Sequence, residues 1–365
     1  MSEYLTQVIS FFNNVIFVWA SLLFLFIFFF IETLSKKNKI LFTKNLRYQG
    51  KQRVHEGEIP RAGGIIIFLS LLTYAFLLET ENVQEELQLI CICLLPMMIV
   101  ILKEDFFHNV DFRLRFCALA LSVILLLSFV VDTFPVVDYL YLISNLFEIP
   151  AFNFIFYALC LIGLANGFNF IDGMNGLLAF YIMSALICCL QLAFIVGDQV
   201  MPVLIIIYFF LMMCFLFLNF PFGRIFMGDA GAYLMGLLLG IWVIKFFATY
   251  DTISSWNAGL IFFYPAIEVV FSFTRKLIQH KSPFKPDREH LHLKVFDILN
   301  TALKKPRLAN NLTTVFLALF YLTPTLLLPW VYDNQTLIFL TLIILTFSYL
   351  VLNIVIPEKT TYAKT

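Results

Sequence analysis

The sequence predicts an all-α polytopic membrane protein of about eleven transmembrane helices, with the N-terminus outside and the C-terminus cytoplasmic. Three observations predict it. Apolar runs long enough to cross a bilayer recur from end to end of the 365 residues. Hydrophobic residues make up 61% of the chain, charged residues 13%, and the mean hydropathy is +0.90, which excludes an ordinary soluble domain. Lys and Arg are segregated into alternate connections, as the positive-inside rule requires of a multi-span protein.

Taken in order, Met1–Gln7 carries Glu3 and no Lys or Arg. The apolar run after it is too long for a signal h-region, so 9–31 reads as a permanent first span. Runs 63–78 and 88–102 are short, which suits re-entrant or deeply packed segments. The remaining candidate spans are 113–131, 151–166, 177–196, 201–218, 230–248, 257–274, 311–331 and 335–356. Segment 132–150 mixes apolar groups with Asp138, Asn145 and Glu148, a pattern for an irregular or amphipathic piece at the outer interface. The seven cysteines all fall inside apolar runs and form neither a disulfide framework nor a zinc pattern. No repeat or linker divides the chain, so 1–365 reads as a single membrane domain.

All but one of the 24 Lys and Arg fall in 32–62, 103–115, 219–229, 275–310 and the C-terminal tail. These segments share one face if the spans alternate, and that face is the cytoplasmic one. The exception, Lys245, lies near the far end of its span, where it can snorkel. The opposite connections, 79–87, 132–150, 197–200, 249–256 and 332–334, hold acids and no Lys or Arg.

Four polar stretches open on the basic face, and with 32–62 they form the predicted site: 103–115, 166–176, 219–229 and 275–310. Glu104-Asp105 pairs adjacent carboxylates, which repel and call for a proton or a cation; a solvated helix end beside Lys103 is the plainer alternative. Asn166–Gly176 carries Asn166, Asn169, Asp172 and Asn175; the last two share a face if the stretch is helical. Asp229 stands between Gly228 and Ala230-Gly231 at the start of a span, as a helix cap or as a ligand beside open backbone. Arg288, His290 and His292 lie in the longest inner connection. In a helix the two imidazoles would point nearly opposite ways, one serving the site and the other packing or facing water.

Two weaker features complete the set. Arg61, in Ile59–Gly64, is a phosphate ligand or a simple basic anchor, and Gly63-Gly64 permit close helix contact. Glu268 is an acid inside the ninth span, near enough to the inner surface to snorkel there. Oxygen ligands from three connections, Asp105, Asp172 and Asp229, suit Mg²⁺ or Mn²⁺. Basic residues around them suit a polyphosphate substrate. The chemistry that follows is phosphoryl transfer at the cytoplasmic membrane surface. Nothing in the pattern points to nucleic acid.

These stretches, in this order, resemble the polyprenyl-phosphate N-acetylhexosamine-1-phosphate transferase family, of glycosyltransferase family 4 type, which includes the undecaprenyl-phosphate GlcNAc-1-phosphate transferases. The matching pieces are Ile59–Gly64 (IPRxGG), Glu104-Asp105 (an Asp-Asp pair), Asn166–Gly176 (NxxNxxDGxDG), Gly228–Gly231 and His290–His292. The chain departs from the pattern at Glu104, at Asn175 in place of the second Asp, and at Leu293 where some members carry a further His. The resemblance implies transfer of a HexNAc-1-phosphate from a UDP-sugar, UDP-GlcNAc or a relative, to undecaprenyl phosphate, with release of UMP. It implies a bacterial inner-membrane enzyme that starts a surface glycan such as O-antigen, with a second copy of the chain as a candidate partner. Asp105, with Glu104, would bind or deprotonate the lipid phosphate, and Asp229 would ligate Mg²⁺. Asp172 and Asn175, with Asn166 and Asn169, would position nucleotide or metal. His290 or His292, with Arg288, would contact the diphosphate.

The rival class is a transporter or flippase of a phosphorylated lipid or nucleotide sugar. Transporters place polar groups near the bilayer midplane, often in paired inverted halves. Here the acids cluster at one end of the spans and no halves match, which favours an enzyme.

Overall fold

The structure, a computed structural model, describes residues 59–77, 81–107, 109–137, 144–198, 201–282 and 288–356. The predicted first span 9–31, residues 32–58, the segment 283–287 with Lys285, and the tail lysines Lys359 and Lys364 lie outside the described residues.

The described elements are all helical: α1 Gly63–Leu77, α2 Glu81–Phe107, α3 Phe112–Phe129, a 3-10 turn Ser144–Glu148, α4 Pro150–Ile171, α5 Leu177–Val196, α6 Met201–Asn219, α7 Gly228–Thr249, α8 Asn257–Ile261, α9 Phe263–Ile278, α10 Leu291–Leu303, α11 Pro306–Phe316, α12 Ala318–Val331 and α13 Gln335–Val355. Each predicted span among the described residues falls on one of these helices or on a broken pair of them. Among the described residues, eight helical stretches are long and apolar enough to cross a bilayer: α2 to α7, α11 with α12, and α13.

The differences from expectation have physical causes. Run 88–102 is not short, because the helix continues through the polar flanks Glu81–Gln88 and Lys103–Phe107 to 27 residues, with Pro96 inside it. α1, at 15 residues, is short as predicted. The ninth span breaks at Phe262 into α8 and α9. The predicted 311–331 begins earlier, at Pro306, and breaks at Leu317. Residues 166–171, expected in a connection, are the last turns of α4. The connection 275–310 holds a helix that hydropathy did not announce, α10, whose N-terminal half, Leu291–Phe296, is buried all round.

α7 is the axle of the bundle. Of its most apolar window, 94% is buried, against 22% for α13 at the rim. α4, α1, α2 and α3 pack around it. α1 crosses it so closely that a Cβ on Gly64 would lie 2.4 Å from the Gly231 nitrogen. Rim helices turn large apolar side chains outward, among them Trp330, Phe347 and Ile354, as a lipid-facing surface does. At the end of α7 away from the site, Lys245, with 29% of its side chain exposed, pairs with Glu86 of α2 at 2.6 Å.

Candidate active site

The N-terminus of α7 anchors the site. An α-helix leaves its first N–H groups unpartnered, and an anion there is favourable. Asp105, at the end of α2, supplies it: its Oδ2 accepts from the Ala230 N–H at 2.9 Å and its Oδ1 from the Asp229 N–H at 3.1 Å. The side chain is 1% exposed. Gly228 permits this approach, since it has φ +78° and a Cβ there would meet the Asp105 carboxylate at 2.8 Å.

Asp229 is the open carboxylate, with 23% of its side chain exposed. Two guanidiniums flank it. Arg115 Nη1 lies 3.4 Å from its Oδ2, and Arg61 Nη1 lies 3.9 Å from its Oδ1 and 3.8 Å from Asp105 Oδ1. Arg115 also reaches Glu104 at 3.9 Å, while the other Glu104 oxygen accepts from the Val110 N–H at 2.9 Å. Asp172 joins from the α4–α5 turn through a hydrogen bond from the Gly228 N–H. Burial pushes its carboxyl up to about 7, with Arg61 opposing and Asp229 adding to that rise.

Asp172 and Asn175 do not share a face. The segment 172–176 is a turn, not a helix, so the three-residue spacing has no helical meaning. Asn175 turns away into the protein. Its N–H donates to Asn310 Oδ1 at 2.7 Å, its Nδ2 to Asn311 Oδ1 at 3.1 Å, and its carbonyl accepts from Thr314 at 2.7 Å. It latches the turn to α11. Asn166 and Asn169 lie on the last turns of α4, and the Tyr233 hydroxyl of α7 donates to Asn166 Oδ1 at 3.4 Å.

The two histidines are both buried, and neither faces water. His290 precedes the first helical residue in an extended conformation, so helical spacing does not separate the rings. They stack at 5.7 Å and 15°. His292 Nε2 lies against the turn beside Asp172, where a Cβ on Gly173 would sit 2.6 Å from it. Burial lowers the His292 pKa from 6.5 to about 3. His290 Nδ1 is 2.9 Å from Glu268, an acid that is 1% exposed and does not snorkel. Arg288 is paired with Asp297 of α10 at 2.9 Å.

Glu104, Asp105, Asp172, Asp229, Arg61 and the His292 edge are thus gathered at one end of the bundle. Asn175 and Arg288 engage the protein instead. Arg115 was missed as a site residue because it counted only as one more inner-face charge; its place just beyond a carboxylate pair was the available signal. The pairing of Glu268 with His290 spans 22 residues and left no local signal.

Among the described residues, no three His, Cys, Asp or Glu side chains close into a protein-only metal cage. Among the described residues, four carboxylates gather here around the guanidiniums of Arg61 and Arg115, a crowding of acids that a cation relieves. Hard oxygen donors, two of them on Asp172 and Asp229, fit Mg²⁺, which takes one or two carboxylates and otherwise water and phosphate.

Fold and site together define a multi-span helical membrane protein with a charged site at one end of its bundle. Residues 87–247 match the model of glycosyl transferase family 4. It is 25% identical over 280 residues to the undecaprenyl-phosphate alpha-N-acetylglucosaminyl 1-phosphate transferase of Thermotoga maritima, covering 75% of this chain and 79% of that one. It is 26% identical over 297 residues to the protein of that name in Escherichia coli, covering 76% of each. With the probable undecaprenyl-phosphate N-acetylglucosaminyl 1-phosphate transferase of Bacillus subtilis it shares 23% identity over 246 residues, 66% of each chain.

Proposed function

We propose that this protein transfers a HexNAc-1-phosphate from a UDP-amino sugar to undecaprenyl phosphate at the cytoplasmic face of a bacterial inner membrane. An oxygen of the lipid phosphate attacks the sugar-bearing phosphorus of the donor. The bond from that phosphorus to the bridging oxygen breaks, UMP leaves, and a lipid-linked diphosphate sugar remains. The observation that carries this reading is the half-open Asp229 carboxylate between Arg61 and Arg115, with Asp172 alongside. Guanidiniums there bind phosphate oxygens and hold attacking and leaving groups in register. Asp172 and Asp229 would hold Mg²⁺, which when bound would offset charge on the transferring phosphoryl group. Asp105 keeps α7, and with it Asp229, in place. His292, against Gly173, borders the site beside Asp172.

The test is label transfer from a panel of UDP-HexNAc donors, labelled in the sugar, to undecaprenyl phosphate in membranes that express the chain. One donor is expected to yield lipid-linked label with equimolar UMP, dependent on Mg²⁺ or Mn²⁺. Release of UDP instead of UMP would mean plain glycosyl transfer, and absence of label from every donor would remove the assignment.

A further inference from the structure

Glu268 has no role in the reading above, yet its side chain is as fully buried as that of Asp105. It lies on α9 and its side chain is 1% exposed. A buried carboxylate is costly unless its oxygens are partnered. Both are: Oε1 accepts from the Leu291 N–H at 3.2 Å, and Oε2 stands 2.9 Å from His290 Nδ1. An ionised Glu268 can only accept, so this geometry assigns a hydrogen to His290 Nδ1 and, in the neutral ring, selects that tautomer. Two rings also pack against it, His292 stacked at 5.7 Å and Phe170 tilted at 4.9 Å. His292 in turn lies against Gly173, next to Asp172.

We infer that Glu268 is a positioning residue for the reaction: it sets the orientation and tautomer of His290 and, through the stacked rings, the placement of His292 against the Asp172 turn. The inference rests on the proposed transferase function for its kinetic readout. The competing role for Glu268 is purely structural, as an anchor for residues 290 and 291. The two roles separate chemically. Glu268→Gln keeps shape but offers one acceptor where two donors need it, so His290 is released to either tautomer. Glu268→Asp keeps two acceptors on a shorter stem.

The experiment uses the full chain in detergent micelles, with kcat and KM for the UDP-sugar, melting temperature, and ¹⁵N spectra of labelled histidines. The wild-type spectrum should place His290 in the Nδ1–H form, and Glu268→Gln should lose that form. In Glu268→Gln, kcat/KM should fall about 10- to 100-fold, the range for an outer partner of a working histidine. Glu268→Asp should recover part of the loss without a matching gain in melting temperature. Adding His290→Asn to Glu268→Gln should cost little more. A wild-type His290 in the Nε2–H form overturns the inference even if no variant folds. So does activity that merely tracks melting temperature across the variants. Failure of the wild type to use any UDP-amino sugar would instead remove the transferase reading and leave the tautomer result standing as its own test.

Discussion

The Asp105 carboxylate and the Ala230 N–H form a 2.9 Å hydrogen bond that joins the end of α2 to the start of the central helix α7. With the Asp229 N–H on its other oxygen, Asp105 accepts twice. Asparagine has one acceptor and would turn an NH₂ donor toward a backbone N–H. Asp105→Asn is therefore expected to lose stability by about 1–3 kcal/mol as well as activity. Chemical denaturation of the solubilised protein reads the first and transfer assays the second. Wild-type stability with lost activity would assign Asp105 to the chemistry alone.

Asp229→Asn should behave differently. Arg61 keeps Asp105 and Arg115 keeps Glu104 in that variant, so the fold retains its local ion pairs. A helix cap would tolerate the change, since Asn caps about as well as Asp. A metal ligand would not, because the amide gives up the charge that holds the ion. Normal abundance with transfer reduced roughly 100-fold or more is the expected outcome. Near-normal turnover at low Mg²⁺ would return Asp229 to the capping role.

Topology has its own test. A single cysteine placed in 275–282 should resist an impermeant thiol reagent in intact cells, and one in 249–256 should react, because basic residues mark the first segment and not the second. Labelling of the first from outside would turn the site away from the cytoplasmic UDP-sugar pool.

Much of the fold was legible because apolar runs in a membrane chain are long and one-sided. What escaped lies where hydropathy stops being informative. The polar ends of α2 are helical although they are not apolar, since backbone hydrogen bonds continue past the apolar run. α10 mixes Lys294, Asp297 and Asn300 among apolar residues, so it does not read as a span. In the site, acids beside glycines were visible as chemistry, and the structure does bring Asp105, Asp172 and Asp229 together around Arg61. The role of Asn175 was not visible, because periodicity assumed a helix where the chain makes a turn.

Asn175 shows the consequence. The related motif has Asp at this position, so Asn175→Asp restores the commoner residue. Here it would set a carboxylate against two acceptors, Asn311 Oδ1 at 3.1 Å and the Pro221 carbonyl at 3.5 Å. The variant is expected to be less stable than the wild type, by about 1–3 kcal/mol. A denaturation midpoint equal to the wild type would show that α11 does not depend on this latch.

Two groups outside the spans give opposed pH dependences. His292 has its pKa lowered from 6.5 to about 3, by burial and then by His290, against the favourable Glu268 charge. Between those values the unfolded chain holds a proton that the folded one refuses, so this contribution to stability falls as pH drops from 6.5 toward 3. Asp172 has its pKa raised from 3.8 to about 7. There the folded chain holds the extra proton, so its contribution is present below 3.8 and is lost as pH rises through about 7. In the shared window the two slopes offset each other in the wild type. Asp172→Asn leaves His292 acting alone, and the melting temperature should drop more steeply on acidification than in the wild type. His292→Gln leaves Asp172 acting alone, and relative to the wild type the melting temperature should rise on acidification. Melting curves of the three proteins between pH 4 and 6.5, in chelator to keep divalent cations off the carboxylates, decide it. Three parallel curves would mean that neither group is buried away from its charge in the way the structure describes.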